Sequence, residues 1–143
     1  MKKILIVNAN YYDKISKNLV SSSKKIFINN KMKVNIFNVT GVFEIPVAIK
    51  KNIKKFDAFV ALGCVIKGET DHYHYICDAV ANGIMNLTLK SSKSILFGVL
   101  TCQNKSLASD RSGNDMSSNK GYELGLMVRN ILLEERNENF SNH

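Results

Sequence analysis

Residues 61–84 read ALGCVIKGETDHYHYICDAVANGI, and the fold follows from how that stretch divides. Its first residues finish an apolar run, DAFVALG (57–63), with the length and composition of a buried strand. The next residues, CVIKGETD (64–71), read as a loop holding glycine and two carboxylates. An amphipathic helix then starts at about His72, because His72, Ile76, Ala79, Val80, Gly83, Ile84 and Leu87 recur at helical spacing. Thr70 or Asp71 caps its first turn, leaving backbone N–H groups to meet an anion. A histidine therefore sits at a helix start just past a strand, where open parallel sheets place their chemistry.

Outward from that stretch, strands and helices alternate. KKILIVNA (2–9) is strand one, NANYYDK (8–14) a polar turn, and residues 15–30 a helix. Ile15, Leu19, Ile26 and Phe27 form the inner side of this helix, and the serines at 21–23 weaken its middle. KVNIFNV (33–39) alternates as strand two, and Pro46 opens a helix over EIPVAIKKNIKKF (44–56). FDAFVALG (56–63) is strand three, and the central helix runs to about Lys90. SILFGVL (94–100) is strand four, residues 104–111 a short helix, and SGNDMSS (112–118) a loop. NKGYELGLMVRNILLEE (119–135) is a last amphipathic helix, and NENFSNH (137–143) a loose polar tail. Alternation with continuous apolar strands means an α/β protein whose four-stranded parallel sheet is covered by helices on both faces. Neither a repeat nor a linker interrupts the 143 residues, so one domain is expected. Four strands make a thin layer, which an oligomer would help to cover.

Composition narrows the function classes. No apolar run is long enough to cross a membrane, and the opening lysines precede too short an apolar segment for a signal peptide. The expected location is cytoplasmic. Cys64, Cys77 and Cys102 form no CxxC pair and lie in apolar surroundings, which favours buried free thiols over a metal or redox role. The net charge of +8 invites a nucleic-acid reading. Yet much of it falls in Lys50, Lys51, Lys54 and Lys55, on the outer side of one helix and without interleaved aromatics. A solvated lysine face that attracts anionic substrates fits better.

Five features fall near strand ends: Tyr11, the segment Val42, Phe43 and Glu44, the segment from Cys64 to His72, then Phe97, then Arg111. Singly, each has a plain structural account, such as a surface aromatic, a carboxylate favoured at a helix N-terminus, or a solvated cation. Together they supply aromatic surface for a flat ring, backbone groups for its edge, an anion site and a proton carrier.

GVFEIP (41–46), ALGCVIKGETDHYHY (61–75), ILFGVL (95–100), DRSG (110–113) and NKGYE (119–123) resemble, in order, the signatures of the 6,7-dimethyl-8-ribityllumazine synthase family. The resemblance covers nearly the whole chain. It implies a flavodoxin-like three-layer sandwich and a transferase of riboflavin biosynthesis that needs no metal or cofactor. Its two small-molecule substrates would be 5-amino-6-(D-ribitylamino)uracil and 3,4-dihydroxy-2-butanone 4-phosphate, and phosphate and water would leave. It further implies a homopentamer, in many members built into an icosahedral shell, with sites between subunits. By position, Tyr11 matches an aromatic that stacks on the pyrimidine. Val42, Phe43 and Glu44 match the segment that meets the ribityl chain, and Cys64, Val65 and Ile66 the segment at the ring edge. Glu69 and Thr70 match the loop holding the butanone phosphate, and His72 the proton donor. Phe97 and Arg111 match the neighbouring subunit's ring contact and phosphate grip.

Three departures stand out. His74 replaces a commonly acidic residue, SGNDMSSN (112–119) lacks a lysine often found there, and the chain starts at strand one without a leading segment. The missing lysine would load phosphate binding more heavily onto Arg111. Two rivals remain on sequence alone: a flavin- or lumazine-binding oligomer without catalysis, and a basic nucleic-acid-binding module.

Overall fold

A computed structural model describes residues 1–141. Strands β1 (Lys3–Ala9), β2 (Lys33–Val39), β3 (Ala58–Ile66) and β4 (Ser94–Cys102) form one parallel sheet in the order β2-β1-β3-β4. Helices α1 (Asp13–Asn29) and α5 (Lys120–Ser141) cover one face, and α2 (Ile45–Asn52) and α3 (Tyr73–Ser91) the other. The short α4 (Lys105–Asp110) follows β4.

Side chains along a strand alternate between faces, which explains the unbroken apolar runs. Ile4, Ile6, Val60 and Leu62 meet Leu124 and Val128 of α5, while Leu5, Val7, Phe59 and Ala61 meet Val80 and Ile84 of α3. All nine residues of β3 are buried. Cutting Phe59 back to alanine would cost about 3–5 kcal/mol, in lost transfer energy and an unfilled cavity. The strand order is flavodoxin-like, and the winding reverses between β1 and β3. Ligands of such sheets bind outside the carboxyl ends of the strands at that point.

Several local expectations are corrected. Cys64, Val65 and Ile66 are not loop: they continue β3 and pair with Leu100, Thr101 and Cys102. Their apolar side chains gain burial that a loop would forgo. The serines of α1 do not interrupt it: the helix is continuous from Asp13 to Asn29. Ser22 Oγ donates to the Asn18 carbonyl at 2.9 Å, and Ser23 Oγ donates to the Gly121 carbonyl of α5 at 2.6 Å. Small residues are needed here because α5 approaches closely: a Cβ on Gly121 would stand 2.2 Å from the Leu19 carbonyl oxygen. Helix α2 ends at Asn52, so Lys50 and Lys51 lie in its last turn while Lys54 and Lys55 are exposed in the turn beyond. As an edge strand β2 leaves Ile36 and Phe37 partly exposed despite its alternation. The backbone of α5 is helical through Ser141, into the stretch read as a tail, and Asn142 and His143 lie outside the described residues.

Candidate active site

The β1–α1 turn, the Val42–Glu44 turn and the end of β3 converge at the β1/β3 switch point. They enclose a cleft of about 230 Å³. Seven of the expected site residues line it: Tyr11, Val42, Cys64, Val65, Ile66, Glu69 and Thr70. Its floor is tight, because a Cβ on Gly63 would meet Val42 Cγ1 at 2.8 Å and the Ala9 Cβ at 3.0 Å. Glycine there lets the Val42 turn settle onto the sheet.

His72 is not inside α3 but its N-cap, a correction to the expected first turn. Neither Thr70 nor Asp71 caps the first turn of α3, which has no side-chain cap: Thr70 Oγ1 accepts instead from the His72 N–H at 3.2 Å, closing the turn before the helix. The His72 carbonyl accepts from the Ile76 N–H at 2.9 Å. Thr70 and Ile76 line the cleft but His72 does not: its side chain is exposed, on backbone held at two points by those neighbours. Phe43 and Glu44 are not brought into the lining. Phe43 projects outward, 63% exposed, and the Glu44 carboxylate accepts from the Gly41 N–H at 3.1 Å, closing its own turn.

Charge in the cleft is organised around Glu69. Its carboxylate accepts a hydrogen bond from the Tyr12 hydroxyl and faces Lys105 Nζ of α4 at 3.9 Å. Burial, then the hydrogen bond to Glu69, holds the Tyr12 phenol well above the ordinary tyrosine range. Burial also pushes the Cys64 thiol up to about 12, with Cys102 and Glu69 adding to it. Cys64, Cys77 and Cys102 are all free, and Cys64 and Cys102 are buried. Cys77 is only half-buried.

Phe97 and Arg111 do not reach this cleft. They line a separate one of about 470 Å³ along the free edge of β4 and the start of α5, with Thr101, Ser118, Lys120 and Glu123. Arg111 caps the C-terminus of α4, and its guanidinium offsets part of the burial that raises the Cys102 thiol. The intervening loop is drawn into a closed turn. Lys120 N–H donates to the Arg111 carbonyl at 2.8 Å, and buried Asn119 donates to the Gly113 carbonyl and accepts from the Tyr122 N–H. Asn119 thereby caps α5 and sets Lys120 beside Arg111. Lys120, 3.3 Å from Glu123, is the cation that sequence reading passed over. It lies within NKGYE (119–123), and the clue was a lysine immediately after a capping asparagine. Arg111 is therefore not the lone cation of its cleft.

Among the described residues no cluster of His, Cys, Asp and Glu of metal-binding size occurs, and no helix is long and apolar enough to cross a membrane. Fold and crevice together define an α/β protein built to bind small molecules at the carboxyl ends of a flavodoxin-like sheet. More particularly, the chain belongs to the 6,7-dimethyl-8-ribityllumazine synthase family, whose model matches residues 1–133. It is 42% identical over 114 residues to the protein of that name from Limosilactobacillus reuteri, covering 78% of this chain and 75% of that one. The protein of the same name from Leuconostoc mesenteroides is 38% identical, with coverage of 92% and 86%. The one from Campylobacter curvus is 37% identical, with coverage of 85% and 81%.

Proposed function

We propose that this protein is an enzyme that condenses 5-amino-6-(D-ribitylamino)uracil with 3,4-dihydroxy-2-butanone 4-phosphate. The product would be 6,7-dimethyl-8-ribityllumazine, with phosphate and water released in the cytoplasm. Family membership supports the reaction, and the cleft supports the placing of its parts. Tyr11, 72% exposed, offers a ring face to the pyrimidine, and Val42, Cys64, Val65 and Ile66 line the wall beside it. Phe43 and Glu44 act, in this reading, as the outer lip toward the ribityl chain. Glu69 and Thr70 border the place of the butanone phosphate.

Amine and ketone first join as a carbinolamine, whose hydroxyl must take a proton before water can leave. Later steps move protons again as phosphate is eliminated and the ring closes. The His72 imidazole, with one nitrogen able to donate and the other to accept, gives and takes those protons. Phosphate departs more readily when its charge meets a guanidinium and an ammonium, roles that fall to Arg111 and Lys120. Holding two small reactants together in the right orientation is itself worth up to about 7–11 kcal/mol, so few catalytic groups are required.

The observation that carries this reading is the division of the expected site into two clefts. Thr70, in the loop that leads to His72, lines one and Arg111 lines the other, which supports a site completed where two copies meet. A homo-oligomer follows, in this reading a pentamer, alone or within a shell. The test mixes purified protein with both substrates and follows lumazine absorbance and phosphate release. Stoichiometric appearance of both is expected. Tight flavin binding with no turnover would overturn the catalytic reading.

A further inference from the structure

Tyr12 takes no part in the reaction steps, yet it touches both halves of the β1/β3 cleft. Its ring meets the Tyr11 ring edge-on, with centroids 5.0 Å apart and planes at 83°. Its hydroxyl donates to Glu69, the residue that ends the Lys67–Glu69 turn. All three residues of that turn are exposed, so packing does little to hold it. The Tyr12 hydroxyl and the longer Lys105 contact are its side-chain tethers to the rest of the cleft. Tyr11 is likewise exposed, and its ring has Tyr12 as its aromatic neighbour.

We propose, resting on the function above, that Tyr12 is a positioning residue that joins the pyrimidine wall to the phosphate loop. Its ring holds Tyr11 face-on to the incoming heterocycle, and its hydroxyl holds Glu69, and with it residues 67–70, in the shape that receives the phosphate. Two physical effects favour this division. An edge-to-face partner lowers the ordering cost of an exposed ring when a ligand stacks on it. A hydroxyl bound to a carboxylate makes a strong, charge-assisted bond and keeps that negative charge turned to the Tyr12 side, away from an arriving anion.

The two contacts can be removed separately. Tyr12→Phe keeps the ring and deletes the hydroxyl, whereas Tyr12→Leu deletes both. With Tyr12→Phe, KM for the butanone phosphate should rise about five- to tenfold, a charge-assisted bond discounted for its partial exposure, while KM for the pyrimidine stays within about twofold. With Tyr12→Leu, both should rise. Glu69→Gln combined with Tyr12→Phe should be no worse than the weaker single variant, because the hydroxyl acts through that carboxylate. A second readout is independent of turnover. The chain has five tyrosines and no tryptophan, so tyrosine emission reports titrations with inorganic phosphate and with the pyrimidine. Phosphate binding weakened alone in Tyr12→Phe supports the proposal even in a protein that makes no lumazine, a failure that would count against the function instead. Unchanged binding of both ligands, or equal weakening of both, overturns it.

Discussion

His72→Ala and Arg111→Gln should each slow the protein at least about tenfold alone and rescue one another when assembled together. His72 stands beside the β1/β3 cleft and Arg111 in the β4-edge cleft, and the two linings share no residue. In a ring of identical head-to-tail contacts each copy gives His72 to one interface and Arg111 to the next. In an equimolar random ring, an interface is intact when the copy giving His72 is the Arg111→Gln chain and its neighbour is the His72→Ala chain. That occurs at about one interface in four, so about a quarter of the wild-type rate should return. The parents' background is lower. Loss of a proton donor costs ~10²–10⁴ in rate, and loss of a charge-assisted phosphate contact about 10- to 100-fold below saturation. The chains are co-refolded, mixed assembly is verified by native mass spectrometry, and lumazine formation is followed by absorbance. Wild type mixed with the double variant is the control. A shared site again gives about a quarter, whereas a site within one chain gives about half. Verified mixed rings with no more activity than the parents would refute the reasoning.

Gly121→Ala would gain a little helix propensity in the first turn of α5, but the new methyl would start 2.2 Å from the Leu19 carbonyl oxygen. Overpacking and loss of the buried Ser23 bond should win by about 2–5 kcal/mol, lowering Tm by roughly 6–20 °C, and a shift under about 2 °C would contradict the close contact. His72→Ala should still bind the pyrimidine at near wild-type affinity by tyrosine emission while turning over ~10²-fold or more slowly, and normal turnover would remove its assigned role. Lys120→Gln should raise KM for the butanone phosphate about three- to tenfold, and Lys120→Gln with Arg111→Gln more than either alone, as steady-state kinetics would show. Burial raises Cys64 from 9.0 to about 12, so both folded and unfolded states keep its proton below pH 9. Between pH 9 and about 12 only the unfolded chain releases it, and stability should fall by up to ~1.4 kcal/mol per pH unit, less steeply in Cys64→Ala by urea unfolding.

Periodicity made the sheet legible because β1 and β3 are buried on both faces, and a continuous apolar run of that length fits little besides a central strand. The same rule misjudged the end of β3. Gly63 looked like a loop boundary, but its missing Cβ serves the approach of Val42 and Ala9 rather than a turn. The serines of α1 have a role that local propensity does not show. Local propensity marks them as weak helix formers, while Ser23 answers to the Gly121 carbonyl, 98 residues away. Of the candidate site, residues on or just after β1 and β3 were brought together in one cleft lining, since strand ends fix them. Phe43 and Glu44 were not, because a carboxylate three residues past Gly41 satisfies that backbone N–H before any ligand can. Lys120 escaped notice because its position depends on the closed turn from Arg111 to Asn119, which has no periodic signal.

One requirement accounts for features that otherwise look unrelated. Tyr75, Met85 and Leu89 of α3 are each more than half exposed, and β2 shows Ile36 and Phe37 to solvent. Scattered apolar residues are ordinary on a surface, so these alone decide nothing. The divided site adds a second demand. Phosphate must meet cations as it leaves, and among the described residues the lining of the β1/β3 cleft includes Glu69 but no lysine or arginine. Arg111 and Lys120, the latter 3.3 Å from Glu123, line a separate cleft along the free edge of the neighbouring strand β4, with Phe97 beside them. In the proposed assembly, a second copy bringing its β4 edge to the β1/β3 cleft would supply cations and an aromatic wall in the same movement. Dissociation should then abolish turnover while leaving each chain folded, because the sheet and both of its helix layers are complete within one copy.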